Sequence, residues 1–455
     1  MKDRLTEALK KSSADYCEIR FEMQDQTSIA YRGPEIETVG SSKLEGGIVR
    51  ACTNGGWGMA VFDSLDNLDH QVHEACVCAK LVGQEKTELA EIENLPDKEI
   101  KAELEHDFRG VSLDEKLKLI SEYNTIILKS HPSIESSQVR YNDAFRTVFF
   151  ASSKGAYFCE ERPIVRLIYF AVARDGALVQ LSFDTIASSK SYDVVLGHES
   201  NIRKISQRAV DLLKAPPCPG GKFSVILDQK LGGVFAHEAF GHLSEADFLY
   251  ENPKMLDLMS IGKEMGSKDL NIVDDGSRAG LIGTHTYDDE GTPTSKTNLI
   301  KEGILSGHLH SLETAAKMGE KPTGNARAIS RGVPPIVRMT NTYIENGKQS
   351  FEELLGGIDD GIYACGALGG QTMMEMFTFS AEYGYRIKNG ECGEMVRDVV
   401  LTGNVFETLH NIDGFGNDFK IIESAGGCGK SGQSPLPVTD GSPHLRIRNV
   451  IIGGK

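Results

Sequence analysis

A run of three prolines and two glycines, Ala215-Pro-Pro-Cys-Pro-Gly-Gly221, divides this chain. Proline fixes φ and removes a backbone donor, so neither a helix nor a central strand continues through such a run. The 455 residues are too many for one ordinary core. Two domains are therefore expected, 1–215 and 222–455, with the break between them.

Before the break, Cys17, Ile19, Phe21 and Met23 alternate with Glu18, Arg20 and Glu22, the period-2 mark of a half-buried strand. Short apolar runs near 28–31, 47–52 and 57–62, separated by Gly and Asn, predict further strands. A helix is expected over 65–81, and the charged stretch 86–107 reads as a connection. Ser112-Leu-Asp-Glu115 is a capping-box pattern. The helix it opens carries Leu113, Leu117, Ile120, Tyr123 and Ile127 on one face and ends at His131-Pro132. Strands follow near 148–151, 157–159, 163–173 and 178–183, then an amphipathic helix through Ile202, Ile205, Ala209 and Leu212. Helix, strands, helix thus occurs twice and suggests a duplicated unit, although the residues themselves show no repeat.

After the break, 223–227 reads as a buried strand, and Asp228 as the cap of a short helix over 231–240. The remainder is Gly-rich and strand-like, with turns such as Glu345-Asn-Gly347 and Lys388-Asn-Gly390. The fold class is α+β: an N-terminal domain of helices and antiparallel strands, then a mostly β C-terminal domain.

Composition excludes several classes. A formal charge of −16 repels phosphate backbones, and no basic patch relieves it, so direct nucleic-acid binding is not expected. No stretch approaches the roughly 20 apolar residues that span a bilayer, and the N-terminus lacks the apolar core of a secretory signal. The nine cysteines are scattered without a CxxC pair, which fits reduced thiols in a cytoplasmic protein.

The segment that carries chemistry is His237-Glu238-Ala239-Phe240-Gly241-His242, an HExxxH pattern. It is one residue longer than the HExxH of zinc peptidases. In an α-helix, residues i and i+4 lie about 40° apart, but i and i+5 about 140° apart. A regular helix would not offer both imidazoles to one metal. A π-bulge, or a break at Gly241, where glycine tolerates unusual backbone angles, would bring them together. Catalytic zinc typically takes three protein ligands and leaves a fourth position open. A third ligand is therefore needed beside His237 and His242. Glu238 holds the general-base position of the HExxH enzymes, acting on metal-activated water.

Beyond this motif, Gly56-Trp-Gly-Met-Ala60, Pro322-Thr-Gly-Asn-Ala-Arg327, Arg338-Met-Thr-Asn-Thr-Tyr343, Phe377-Thr-Phe379 and Gly427-Cys-Gly-Lys430 follow in order along the chain. Together they resemble the TldD/PmbA family, also called the modulator-of-gyrase family, nearly end to end. The resemblance implies a zinc metallopeptidase with one zinc per catalytic subunit, held by His237, His242 and Cys428, with Glu238 catalytic. It implies a dimer of like subunits, or one with a PmbA-like subunit, whose active site faces an enclosed cavity suited to short or unfolded peptides. The PmbA-like branch lacks HExxxH, and this chain has it. Between its glycines, Cys428 is expected on a flexible, sparsely packed loop. The alternative is a non-catalytic binding or regulatory subunit with a structural or absent metal.

Other candidates read as structural. Gly429-Lys430-Ser431 lacks the first glycine of a P-loop, because Ser424 stands there, and Gln433 breaks a GxSxG pattern. Asp274-Asp-Gly276 and Asp288-Asp-Glu290 read as solvated turns. His308 and His310 share a strand face without a visible third partner and read as structural or exposed. Arg327 and Arg338 are expected to bind a peptide carboxylate or line the cavity.

Overall fold

The computed structural model describes residues 1–85 and 88–453; Lys86 and Thr87, at the start of the expected connection, lie outside them. The first part of the chain runs α1 (Lys2–Leu9), β1 (Tyr16–Arg32), β2 (Glu35–Thr53), β3 (Gly56–Phe62) and α2 (Leu68–Val82). After a short β4 (Asp97–Ile100) come α3 (Leu113–Leu128), β5 (Ile134–Ser152), β6 (Tyr157–Asp175), β7 (Leu178–Ser188) and α4 (Glu199–Lys214). Helix, three strands, helix therefore occurs twice. The two triplets meet where β1 pairs antiparallel with β5, in the order β3-β2-β1-β5-β6-β7, with β4 also on β6. The repeat that the residues did not show is present in the topology.

The strands are much longer than the apolar runs that announce them. β2 has 19 residues, exposed over most of 35–45 and buried over 46–52. Hydrophobic patterning marks only the part a helix covers, while ladder hydrogen bonds extend the pairing beyond it. One face of β1 and β2 (Ile19, Phe21, Val49) packs under α1 and α2, and Tyr141, Val165 and Leu167 pack with Ile120, Tyr123 and Ile202 of α3 and α4. Burying each large apolar side chain contributes about 1.5–3 kcal/mol. The expected capping box on α3 forms, with both reciprocal bonds between Ser112 and Glu115 present.

In the remainder, strands dominate. β8 (Gly221–Leu227) lies in a nine-stranded mixed sheet, parallel to 360–365 and antiparallel to 445–453. A second sheet of six strands contains 272–275, 341–344 and 439–442. Asn389 and Gly390 both have positive φ, as a two-residue hairpin turn requires. No helix among the described residues is long and apolar enough to cross a membrane.

Both acidic stretches expected as solvated turns are buried instead. Asp274 sits in a strand and accepts from Thr340, Thr342 and Asn325. Asp289 pairs with Arg162 at 2.7 Å and Glu290 with Arg50 at 3.1 Å, while Asp288 accepts backbone N–H groups. The compensating arginines come from β2 and β6, more than 100 residues away in the chain. A local charge run cannot reveal such partners, and without them burial of these carboxylates would be prohibitive.

Candidate metal centre

Asp228 caps the helix that follows β8, its carboxylate accepting from the Leu231 N–H at 2.8 Å. The helix, α5 (Gln229–Phe235), lies hard against the strand 439–442. A Cβ on Gly232 would sit 2.6 Å from the Ser442 hydroxyl, so only glycine permits this approach. α5 then passes into a π-helical turn, Ala236–Gly241, followed by a 3-10 turn, His242–Ser244. The His242 N–H donates to the His237 carbonyl, the i→i+5 bond of a π-turn. The extra residue of HExxxH is absorbed there, and the two imidazoles come together edge to face, with ring centroids 5.1 Å apart. Gly241 has an ordinary helical φ of −56°. What requires glycine is space: a Cβ would lie 2.0 Å from the Met339 sulfur.

Cys428 is not on a sparse loop. It is buried in a two-stranded hairpin, 428–430 paired with 433–436, directly opposite Leu436. Two buried arginines fix this hairpin. Arg338 donates to the carbonyls of Cys428 at 2.7 Å and Gln433 at 3.2 Å, and Arg327 donates to those of Pro437 and Met339. Both guanidinium groups are committed to backbone carbonyls inside the protein, so neither lines a substrate cavity as expected from the sequence. Lys430, on the same side of the strand as Cys428, binds Asp247 at 2.6 Å and Glu245 at 3.1 Å.

The Cys428 Sγ lies 3.4 Å from His242 Nε2, and one donor atom from each of His237, His242 and Cys428 falls within 4.8 Å of the others. The Nδ1 of His237 is 3.0 Å from Asp440, and that of His242 is 2.9 Å from Glu245. Each carboxylate fixes a tautomer and leaves Nε2 for the shared space, the usual support of a metal-ligating imidazole. Two imidazoles and a thiolate suit zinc, whose ligands stand roughly 3–4 Å apart in a tetrahedral site. Asp440 left no signal in the sequence. Glu245, three residues after His242 on the same turn, did offer one.

Without a metal, the three groups form a thiolate–imidazolium cluster, whose ring protons a bound metal would displace. Burial alone would raise the Cys428 thiol, but His237 and His242 outweigh it and bring its pKa down to about 5. Burial opposes charge on His242, yet Glu245 and Cys428 lift it to about 10. Glu238 stands beside them, its carboxylate 4.0 Å from His242 Nε2 and its side chain a quarter exposed. Burial raises its pKa above the ordinary glutamate value.

Elsewhere, His308 and His310 are both buried, with a third partner the sequence did not reveal: Glu320, at 2.8 Å and 3.2 Å. Of the cysteines, Cys78 and Cys392 are exposed and the other seven buried.

Comparison with known proteins follows the same lines. Three family models match: PmbA/TldA metallopeptidase domain 1 over 17–79, the central domain over 106–215 and the C-terminal domain over 220–454. A metalloprotease from Synechocystis is 44% identical, with 98% of this chain and 96% of that protein covered. A metalloprotease from Methanothermobacter thermautotrophicus is 36% identical over 97% of this chain and 96% of its own length. A zinc metalloprotease TldD homolog from Saccharolobus solfataricus is 30% identical over 90% of each. Among solved structures, TldE from Thermococcus kodakarensis shares the fold with a TM-score of 0.77 at 20% identity, covering all of both chains. With the family models spanning most of its length, the chain belongs to the PmbA/TldA metallopeptidase family, the TldD/PmbA family that its motifs resemble.

Proposed function

We propose that the protein is a zinc-dependent peptidase acting on short or unfolded peptides, with His237, His242 and Cys428 as metal ligands and Glu238 as general base. The observation that carries this reading is the convergence of two carboxylate-oriented imidazoles and one thiol within 4.8 Å, beside a half-buried glutamate. The names of the relatives, metalloprotease and zinc metalloprotease, support it.

When bound, zinc would polarise the scissile carbonyl and lower the pKa of a water molecule. Glu238 then takes a proton from the attacking water and delivers it to the leaving amine nitrogen. Its raised pKa suits both halves of that task, since it must hold the proton between them. Asp440 and Glu245 hold the Nδ1 side of His237 and His242, and so would orient both rings to offer Nε2 to a metal. Arg338 and Arg327 keep the Cys428 hairpin in register.

The working assembly in this reading is a dimer, of like subunits or with a PmbA-like partner, whose interior excludes folded proteins. The test is cleavage of an unstructured peptide before and after chelation. Loss of cleavage on chelation and recovery with added zinc, but not with magnesium, is the expected result. Cleavage that survives complete metal removal would overturn the assignment.

A further inference from the structure

The sheet of the first part has a polar face that is partly covered. On β1, Gln24, Gln26 and Ser28 pair with Arg146, Ala144 and Asn142 of β5. On β6, Arg162, Ile164 and Arg166 continue the same three rows. Residues two apart on a strand share a face, so all nine look the same way. That face is the floor of a cavity of about 340 Å³, roofed by Ile282, His285, Ile329, Pro435 and Pro437 from the second part of the chain.

The charges on this floor do not balance. Arg162 is fully paired, with Glu160 at 2.9 Å and Asp289 at 2.7 Å. Asp143, also at the cavity wall, is neutralised by Lys116 at 2.6 Å. Among the described residues, Arg146 has only a long contact to Glu22, at 3.6 Å. Arg166 makes no hydrogen bond or ion pair with any described residue, and its Nε is buried without a partner. Burial, and then Arg146, press the Arg166 guanidinium down to about 10. His285 is held well below its ordinary pKa by burial and by Arg162, Arg327 and Arg146, so it remains neutral. The neutral polar groups nearby bond to one another: the Gln24 amide donates to Gln26 at 2.7 Å, and the Asn142 amide to the Ser28 hydroxyl at 2.7 Å. Neutral groups cannot cancel the positive charge. A partly buried guanidinium without a counter-charge is costly, and a bound anion would offset that cost.

We propose that this cavity binds a small anion, a phosphate or a carboxylate, between Arg146 and Arg166. The guanidinium fork matches either group bidentately. Two sources present that chemistry: free inorganic phosphate and the C-terminal carboxylate of a peptide. The roof is the back of the Cys428 hairpin, since Pro435 and Pro437 flank Leu436, the cross-strand partner of Cys428. The site is nevertheless independent of the peptidase reading, because its arginines belong to a different sheet from any proposed metal ligand.

The test is thermal melting at constant ionic strength, with chloride replaced by inorganic phosphate or N-acetylglycine, or with neutral N-acetylglycinamide added to the chloride buffer. A ligand that binds only the folded state raises Tm with the logarithm of its concentration above Kd. The expected result is a rise with phosphate, or with N-acetylglycine but not its amide, and the pattern identifies the source. Arg166→Gln should weaken that binding roughly tenfold or more, and Arg166→Lys by less. No rise above chloride in the wild-type protein overturns the proposal, whatever the variants do. So does a rise that is equal in wild type and Arg166→Gln. The readout is melting rather than turnover, so failure here leaves the peptidase assignment untouched.

Discussion

Among the described residues, two clusters each bring three potential metal ligands within 4.8 Å, and they differ in where the neighbouring carboxylates sit. At His237, His242 and Cys428, the outer nitrogen of each imidazole is tied to a carboxylate that is not itself a ligand, so three donor atoms remain for a shared centre. At His308, His310 and Glu320, the carboxylate is consumed by the histidines. Glu320 bridges both rings, and the other nitrogen of His308 is 2.8 Å from the Met259 carbonyl. The second cluster largely satisfies itself, although His310 Nε2 lies 3.2 Å from Glu320 without hydrogen-bond geometry. Proximity of ligand types is therefore a weak indicator, and the position of the second carboxylate decides between a coordination site and a closed hydrogen-bond cluster.

That contrast can be broken by mutation. The largest effect is expected for Cys428→Ala, which should lose bound metal and peptide cleavage together, while His310→Gln should retain both. Elemental analysis and a cleavage assay on the two purified variants decide it, and metal loss in His310→Gln alone would reverse the contrast. Next in size is Asp440→Asn, which frees the His237 ring without removing a ligand. Metal affinity should fall about 10–100-fold, measured by competition with a chromogenic chelator. Unchanged affinity would show that the orienting carboxylate is dispensable.

The smallest effect belongs to the second cluster. Glu320→Gln should leave metal content intact and destabilise the fold by about 1–3 kcal/mol at neutral pH. Burial tends to raise the Glu320 carboxyl, but His308 and His310 hold it down at about 2, from an ordinary value of 4.5. A depressed folded-state pKa contributes stability above the unfolded value, and this is lost as pH falls towards 2. Urea midpoints at pH 7, 4.5 and 3 should therefore converge between wild type and variant as pH drops. A constant gap would assign the loss to packing instead.

Legibility in the sequence followed the range of the interactions involved. Capping at Ser112 and Asp228 and the periodic faces of α3 and α4 are local, and the α+β class follows from them. The i→i+5 spacing of His237 and His242 forced a distortion that appears as a π-turn. It did not tell why Gly241 is there, because the constraint is the Met339 sulfur, nearly 100 residues away. Long-range partners were invisible for the same reason. Asp288, Asp289 and Glu290 looked like a solvated run until Arg50 and Arg162 supplied their countercharge. Cys428 looked loosely held until Arg338 took its carbonyl. Its association with the histidines came from family resemblance, since nothing within the Gly-rich segment itself points across 186 residues to His242.

The measurement that bears most directly on the central claim compares wild type with Glu238→Ala for metal content and for cleavage of an unstructured peptide. The account predicts about one zinc per chain in both proteins, with cleavage abolished only in the variant. Zinc in both with equal cleavage would contradict it, because the glutamate beside the three ligands would then have no part in the reaction.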